Sequence, residues 1–356
     1  MLGRFVTLGC LLAVTSLLAF GGAAGQTVVP HGGPAAATSP SWTQLFPTKM
    51  PSPRDWVQMA YDPALKEVVL FGGYDPVIKP LGDTWVYKSG HWKDLTSTLV
   101  AAPPARWGGG FSWDPQLGAL VLFGGRNLGK EFQDTWYFNA NGWNLITTTT
   151  QPSPRVSPAM AWDPLDHYLL LYGGASGDNP LGAGNPSTMH NDTWELSGRT
   201  WHQLANSPMG NRSRTQMVYD PADRYMLLVG GDALTSPTVG SPKNDTWSYV
   251  NGTWKQLSPK GSLTLLAATG TLAWDSGTGS AVLFGGYLSP PGVYGNATWT
   301  YSGGTWTNIT ASIPSSPPVR VECGMAYDVA SGQMLMFGGS TPAPNYSYYN
   351  DLWAFV

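Results

Sequence analysis

The sequence predicts an all-β protein: a six-bladed β-propeller, a wheel of six four-stranded sheets whose last blade is closed by a strand from the N-terminal side. Three observations lead there. One pattern occurs six times along the chain, its turns carry glycine at fixed places, and the composition withholds what long helices need. Only 12% of the 356 residues are charged, against about a quarter in an average soluble chain, while 44 Gly and 30 Pro punctuate the rest. The 17 Trp, 16 Tyr and 11 Phe favour pleated, half-buried surfaces. With 19 basic against 22 acidic residues the net charge is -3, which excludes the basic footprint of a nucleic-acid-binding protein.

Taken in order, residues 1–25 read as a signal peptide or signal anchor. Arg4 precedes an apolar stretch from Phe5 to Phe20, and the small residues from Gly21 to Gly25 suit signal-peptidase cleavage. Retention as an anchor competes, because the apolar run is almost long enough to span a bilayer. Cys10 lies inside that run rather than at its end, which disfavours a lipoprotein. The expected location is therefore secreted or at the extracytoplasmic cell surface, with membrane contact only through this segment. Cleavage would leave Cys323 as the single thiol and no internal disulfide. Residues 26–40, rich in Ala, Gly and Pro, read as a flexible linker, and residues 41–356 as the propeller.

Within the propeller, an apolar run ends in Gly-Gly at Gly72, Gly124, Gly173, Gly230, Gly285 and Gly338. An aromatic-Asp pair stands before each run, from Tyr61-Asp62 to Tyr327-Asp328, and Asp to first Gly is always ten residues. Downstream come Asp83-Thr84-Trp85 and its equivalents, with Ala297 replacing Asp in the fifth copy and Leu352 replacing Thr in the sixth. In five copies a second Trp follows after seven residues, across a turn such as Asn141-Gly142 that needs positive φ. Each copy therefore reads as four short strands, here A to D. Such a sheet cannot cover both faces alone, whereas radial packing covers each with its neighbour. The sixth copy lacks strand D, and Ser41-Trp42-Thr43-Gln44-Leu45 matches the D strands Thr200–Leu204 and Thr253–Leu257, so it should pair beside Trp353 and close the ring.

Through the glycine doublet and the two Trp seven residues apart, residues 41–356 resemble the kelch family of β-propellers. The resemblance implies the fold; because the family includes binding platforms and some enzymes, it leaves activity open.

The A–B and C–D turns hardly change length, whereas the B–C and D–A connections do, the longest being Ala175 to Asn191 and then Asp232 to Asn244. Variable loops on a fixed scaffold are the expected recognition face, against the alternative of neutral drift. Eight residues before the A-strand Asp stand Arg54, Arg106, Arg155, Arg212 and Arg320, with Ala267 in the remaining copy. Two readings compete: a positive mouth for carboxylate or sulfate groups, or a structural tie to loop carbonyls of the next blade. Trp56 and Trp107 are the two Trp outside the repeat pattern and could stack on a ligand or pack between blades.

Catalytic signals are weak, and enzyme activity is less expected than binding. The five His avoid the inner strands, so a copper site of the galactose oxidase type is disfavoured although Cys323 and Tyr327 share a strand; no metal or cofactor is expected. Cys323 reads as a small buried hydrophobe. Glu322 is the one carboxyl placed to act as a general acid or base, against a solvated or Arg-paired role. Asn191, Asn211, Asn244, Asn251, Asn296, Asn308 and Asn345 begin glycosylation sequons, several of them coinciding with repeat motifs. The expected function is an exported propeller that binds a protein or glycan through its loop-rich face. The alternative is a carbohydrate-active propeller similar to kelch-type sugar mutarotases.

Overall fold

A computed structural model describes residues 39–177, 189–236, 239–261, 263–266, 269–288, 293–341 and 347–356. The signal segment, the linker as far as Thr38, the middle of the Ala175–Asn191 loop, Ala267 and Asn345 lie outside the described residues.

Six antiparallel sheets follow one another along the chain. Blade 1 comprises Gln58–Asp62, Glu67–Asp75, Lys79–Lys88 and His91–Asp94. Blade 2 comprises Gly110–Asp114, Ala119–Phe123, Thr135–Asn139 and Gly142–Ile146; blade 3, Ala159–Asp163, Tyr168–Tyr172, Thr193–Ser197 and Thr200–Gln203. Blade 4 comprises Gln216–Asp220, Tyr225–Val229, Thr246–Val250 and Thr253–Leu257; blade 5, Thr271–Asp275, Ser280–Leu288, Val293–Ser302 and Thr305–Asn308. In blade 6, Gly324–Asp328, Gln333–Phe337 and Leu352–Phe355 are completed by Trp42–Leu45, with Trp42 opposite Phe355 and Gln44 opposite Trp353. The inner strands neighbour one another in blade order and blade 6 meets blade 1, so the wheel is closed.

The constant residues each answer a backbone need. In every A–B turn the motif Asp accepts main-chain N–H bonds through Oδ1, as Asp62 does from Ala64 at 2.9 Å and Leu65 at 3.0 Å, an Asx turn that fixes the hairpin. The first Gly of the doublet has positive φ, +64° at Gly72, where a Cβ would lie 2.5 Å from the Arg106 carbonyl of the next blade. That carbonyl accepts from Gly73 N at 3.0 Å, and Arg106 N donates to Leu81 O at 2.9 Å. The doublet is thus where one blade is stitched to the next, and a side chain there would break the seam.

The outer tryptophans form a second seam. Trp143 Nε1 donates to Thr84 Oγ1 of the preceding blade at 2.9 Å, and Trp201, Trp254, Trp306 and Trp42 do likewise to Thr135, Thr193, Thr246 and Thr298. Trp92 would need a threonine in blade 6 but meets Leu352, and its Nε1 has no partner. The core is divided among these interblade layers, each built from apolar residues of two adjacent sheets.

Candidate functional site

The five repeated arginines do not form the positive mouth that was one of the two expectations. Arg54, Arg106, Arg155 and Arg320 are at most 1% exposed and Arg212 is 4% exposed. Each guanidinium grips the Asp of the Asp-Thr-Trp motif in its own blade: Arg106 Nη1 and Nη2 reach Asp134 at 2.5 and 2.9 Å, while Nη1 also donates to Gly124 O at 3.0 Å. The structural expectation needs correction as well, because the side chain ties its own blade and only the main chain reaches the neighbouring one. The same Asp accepts from the following Trp, as Asp134 does from Trp136 Nε1 at 2.8 Å. Burial pushes the Asp134 carboxyl up, but the bonds and charge of Arg106, with Trp136, outweigh it and hold it below the usual carboxylate range. Blade 5 carries Ala267 and Ala297 in place of both partners, and the Trp299 Nε1 left behind has no acceptor.

Two residues beyond the arginine position lies a different ring. Trp56, Gly108, Ser157, Arg214, Thr269 and Glu322 all have positive φ, between 52° and 71°. This turns their peptide groups around the axis: Gly108 N donates to Trp56 O at 3.1 Å, Ser157 N to Gly108 O at 2.7 Å, Arg214 N to Ser157 O at 3.1 Å, Glu322 N to Thr269 O at 3.1 Å and Trp56 N to Glu322 O at 2.9 Å. Left-handed backbone costs a non-glycine residue about 1–2 kcal/mol, here offset by the shared hydrogen bonds. The ring frames the loop-side mouth of a central channel of about 640 Å³ lined by the six inner strands. Below the mouth the lining turns apolar, with Met59, Met160, Met217, Leu272 and Met325, and it ends in an aromatic rim that includes Tyr61, Trp113 and Trp162.

Side chains at the mouth break the sixfold pattern. Arg214 of blade 4 reaches across to Trp56 of blade 1, its guanidinium carbon 5.0 Å from the indole centroid. The bare Gly108 makes room for that indole, since a Cβ there would approach Trp56 to 3.3 Å. Arg214 Nη1 donates to Asp232 at 2.8 Å, and Nε lies 3.8 Å from Glu322 Oε1. Beside them Ser340 Oγ donates to Asp55 Oδ2 at 2.7 Å. Burial pushes the Glu322 carboxyl up to about 8, with Arg214 opposing and the charges of Asp55 and Asp232 adding to the rise. Burial likewise raises Asp55 to about 7 against the Ser340 bond.

Of the residues singled out from sequence, Trp56 and Glu322 come together here and Trp107 does not. Trp107 sits one position earlier, between hairpins, 5.2 Å edge-on to Tyr74 and against Val156, Ala175 and Met189. Cys323 lines the channel beside Glu322, its thiol pushed up to about 12 by burial. His190 bonds Ser176 Oγ at 3.1 Å, and burial, then the Arg155 charge, lowers it to about 4. Among the described residues no three His, Cys, Asp or Glu converge as metal ligands. The Asn244 and Asn296 amides donate to Leu263 O and Pro317 O, so these two sequons serve the loops. Sequence reasoning missed Arg214, Asp55, Asp232 and Ser340.

The KLHDC2/KLHL20/DRC7 kelch-repeats domain matches residues 10–231. The chain is also similar to putative adagio-like protein 2 of Oryza sativa subsp. japonica, 25% identical over 77% of this chain and 36% of that protein. A second relative is multiple epidermal growth factor-like domains protein 8 of Rattus norvegicus, 25% identical over 57% of this chain and 7% of that protein. The chain therefore spans about a third of the first relative's length and less than a tenth of the second's.

Proposed function

This chain belongs to the kelch-repeat family, and from that premise we propose that it is an exported or surface-held propeller that binds a protein through its loop-rich face. Kelch propellers generally serve protein interaction, and the observation that carries the reading is where apolar side chains remain uncovered. Val77 and Ile78 at the tip of the B–C hairpin of blade 1 are 83% and 64% exposed, and Leu128 at the equivalent tip of blade 2 is 64% exposed. They stand on the blade 1 and blade 2 side of the Trp56–Arg214–Glu322 mouth, and interface hot spots are enriched in Trp and Arg set within surrounding contacts that exclude water. Export rests on Arg4, the apolar Phe5–Phe20 stretch and the small residues after it.

The test is proximity labelling at the surface of the native host, with the full chain and with Val77→Asp, Ile78→Asp and Leu128→Asp together. The triple variant should lose partner capture at least tenfold while its melting temperature stays unchanged. Unchanged capture, or a chain found only in the cytosol, would sink the reading. Glycan capture on an array, with no protein partner, would replace protein by carbohydrate.

A second reading has one observation of its own. The Glu322 carboxyl, its side chain 12% exposed beside Arg214 and its pKa pushed up to about 8 by desolvation, has the properties of a general acid for a sugar ring-opening reaction. Turnover of an acidic sugar that vanishes in Glu322→Gln would favour it.

A further inference from the structure

The mouth sets three carboxyls, Asp55, Asp232 and Glu322, against the guanidinium of Arg214. That guanidinium is committed to Asp232 at 2.8 Å, and its nearest approach to Glu322, 3.8 Å, exceeds hydrogen-bond distance. The neighbouring Arg126 is committed to Glu131 at 2.6 Å and Gly177 O at 2.7 Å. Two further acceptors stand idle. Asp55 Oδ1 has no partner although Asp55 is 5% exposed, and Thr215 Oγ1, on the channel lining, has none although Thr215 is 4% exposed. Burying a polar atom without a partner is costly, and nothing among the described residues pairs with these two.

We propose that the mouth receives a basic side chain, lysine or arginine, of the protein partner, with Glu322 as its counter-charge and the Trp56 indole as its platform. The inference rests on the loop-face binding reading and adds the chemistry of the group that enters. A cation supplies the charge the cluster lacks and donors for the idle acceptors, and its methylene stem suits the indole and the apolar wall below. An acidic group fits badly, because it would meet three carboxyls and a guanidinium already engaged.

The probes are the N-acetyl methylamides of lysine, arginine, norleucine and glutamate, with n-butylammonium as a free amine, titrated calorimetrically into the full chain at pH 6 and pH 8. Lysine and arginine probes should bind and the norleucine and glutamate probes should not. Affinity should rise about tenfold or more from pH 6 to pH 8, as the bound cation displaces a proton from the cluster formed by Glu322, Asp55, Asp232 and Arg214. Glu322→Gln should abolish the preference and leave only the smaller pH dependence that Asp55 carries, and the isosteric Thr215→Val should weaken the basic probes severalfold, each with near-ultraviolet circular dichroism unchanged. Equal binding of norleucine or glutamate, no binding of the basic probes, or an undiminished pH dependence in Glu322→Gln overturns the proposal. Tighter binding of n-butylammonium than of the lysine probe would make a free amine the ligand and overturn it too. If the probes fail while the loop-tip substitutions still abolish partner capture, this inference fails and the loop-face reading stands; the converse outcome sinks only the latter.

Discussion

Blade 5 is a natural double substitution, with Ala267 and Ala297 where the other blades keep Arg and Asp, and it sets the terms for an engineered one in blade 2. Arg106 is fully buried, its Nε on Pro104 O at 2.9 Å, its Nη1 on Gly124 O, its two arms on Asp134 and its face 3.9 Å from the Phe132 ring. Asp134→Ala leaves that charge enclosed with only carbonyls and a ring, the situation in which breaking a buried pair costs about 3–5 kcal/mol. Arg106→Ala opens a cavity, but the Asp134 side chain is 28% exposed and keeps its Trp136 donor, so its loss should be about 2–4 kcal/mol. Replacing both removes the stranded charge. The double variant should therefore fall short of the summed losses by about 2–3 kcal/mol, the upper range for residues in direct contact. Guanidinium unfolding at pH 7, followed by near-ultraviolet circular dichroism of wild type, both single variants and the double, gives the coupling. Losses that add to within about 0.5 kcal/mol would refute the paired-tie reasoning. An Arg106→Ala variant as stable as wild type would return this arginine to the list of ligand contacts.

Thr84→Val removes the acceptor of Trp143 Nε1 while keeping the side-chain shape; thermal unfolding should show a loss of about 1–3 kcal/mol, reproducing the orphan that Trp92 already is. Gly72→Ala places a methyl 2.5 Å from the Arg106 carbonyl at φ +64°, whereas Gly118→Ala at φ +59° has open space. The second should cost about 1–2 kcal/mol by chemical denaturation and the first clearly more. Glu322 keeps its proton in the folded chain up to about pH 8, while the unfolded carboxyl loses it in the ordinary glutamate range. Stability must then decline with rising pH across that window, and melting curves at pH 5 and pH 8 should show Glu322→Gln gaining on wild type at the higher pH.

The fold was legible because its determinants are copied. A glycine doublet ten residues after an Asp, six times over, reports the same seam six times, and Trp42 announces its place through likeness to Trp201 and Trp254. The arginine tie was legible in principle as well. Ala267 and Ala297 fall in the same copy, and a charge pair buried in every other blade can be dropped only as a pair. What the spacing could not supply is direction: the Arg side chain turns back to its own Asp, and nothing in the order of residues distinguishes that from a reach toward the axis.

The mouth was legible in part, for a reason that follows from symmetry. Residues that close the wheel solve the same problem in each blade and so repeat, whereas a ligand on the axis contacts six blades at once and need not share their symmetry. Its contacts belong at a position that changes from copy to copy inside an otherwise constant frame. Two residues after the arginine, that position reads Trp56, Gly108, Ser157, Arg214, Thr269 and Glu322, and the shared backbone ring brings all six to the axis. Trp56 drew notice as a tryptophan outside the repeat, and so did Trp107, but one residue separates a side chain facing the channel from one wedged between hairpins. Arg214 is one more arginine in the sequence, Asp232 gains meaning only as its partner, and Asp55 and Ser340 gain meaning only from each other across two blades, their bond crossing 285 residues of chain. In a closed repeat array the frame is read down the constant positions and the candidate site across the variable ones.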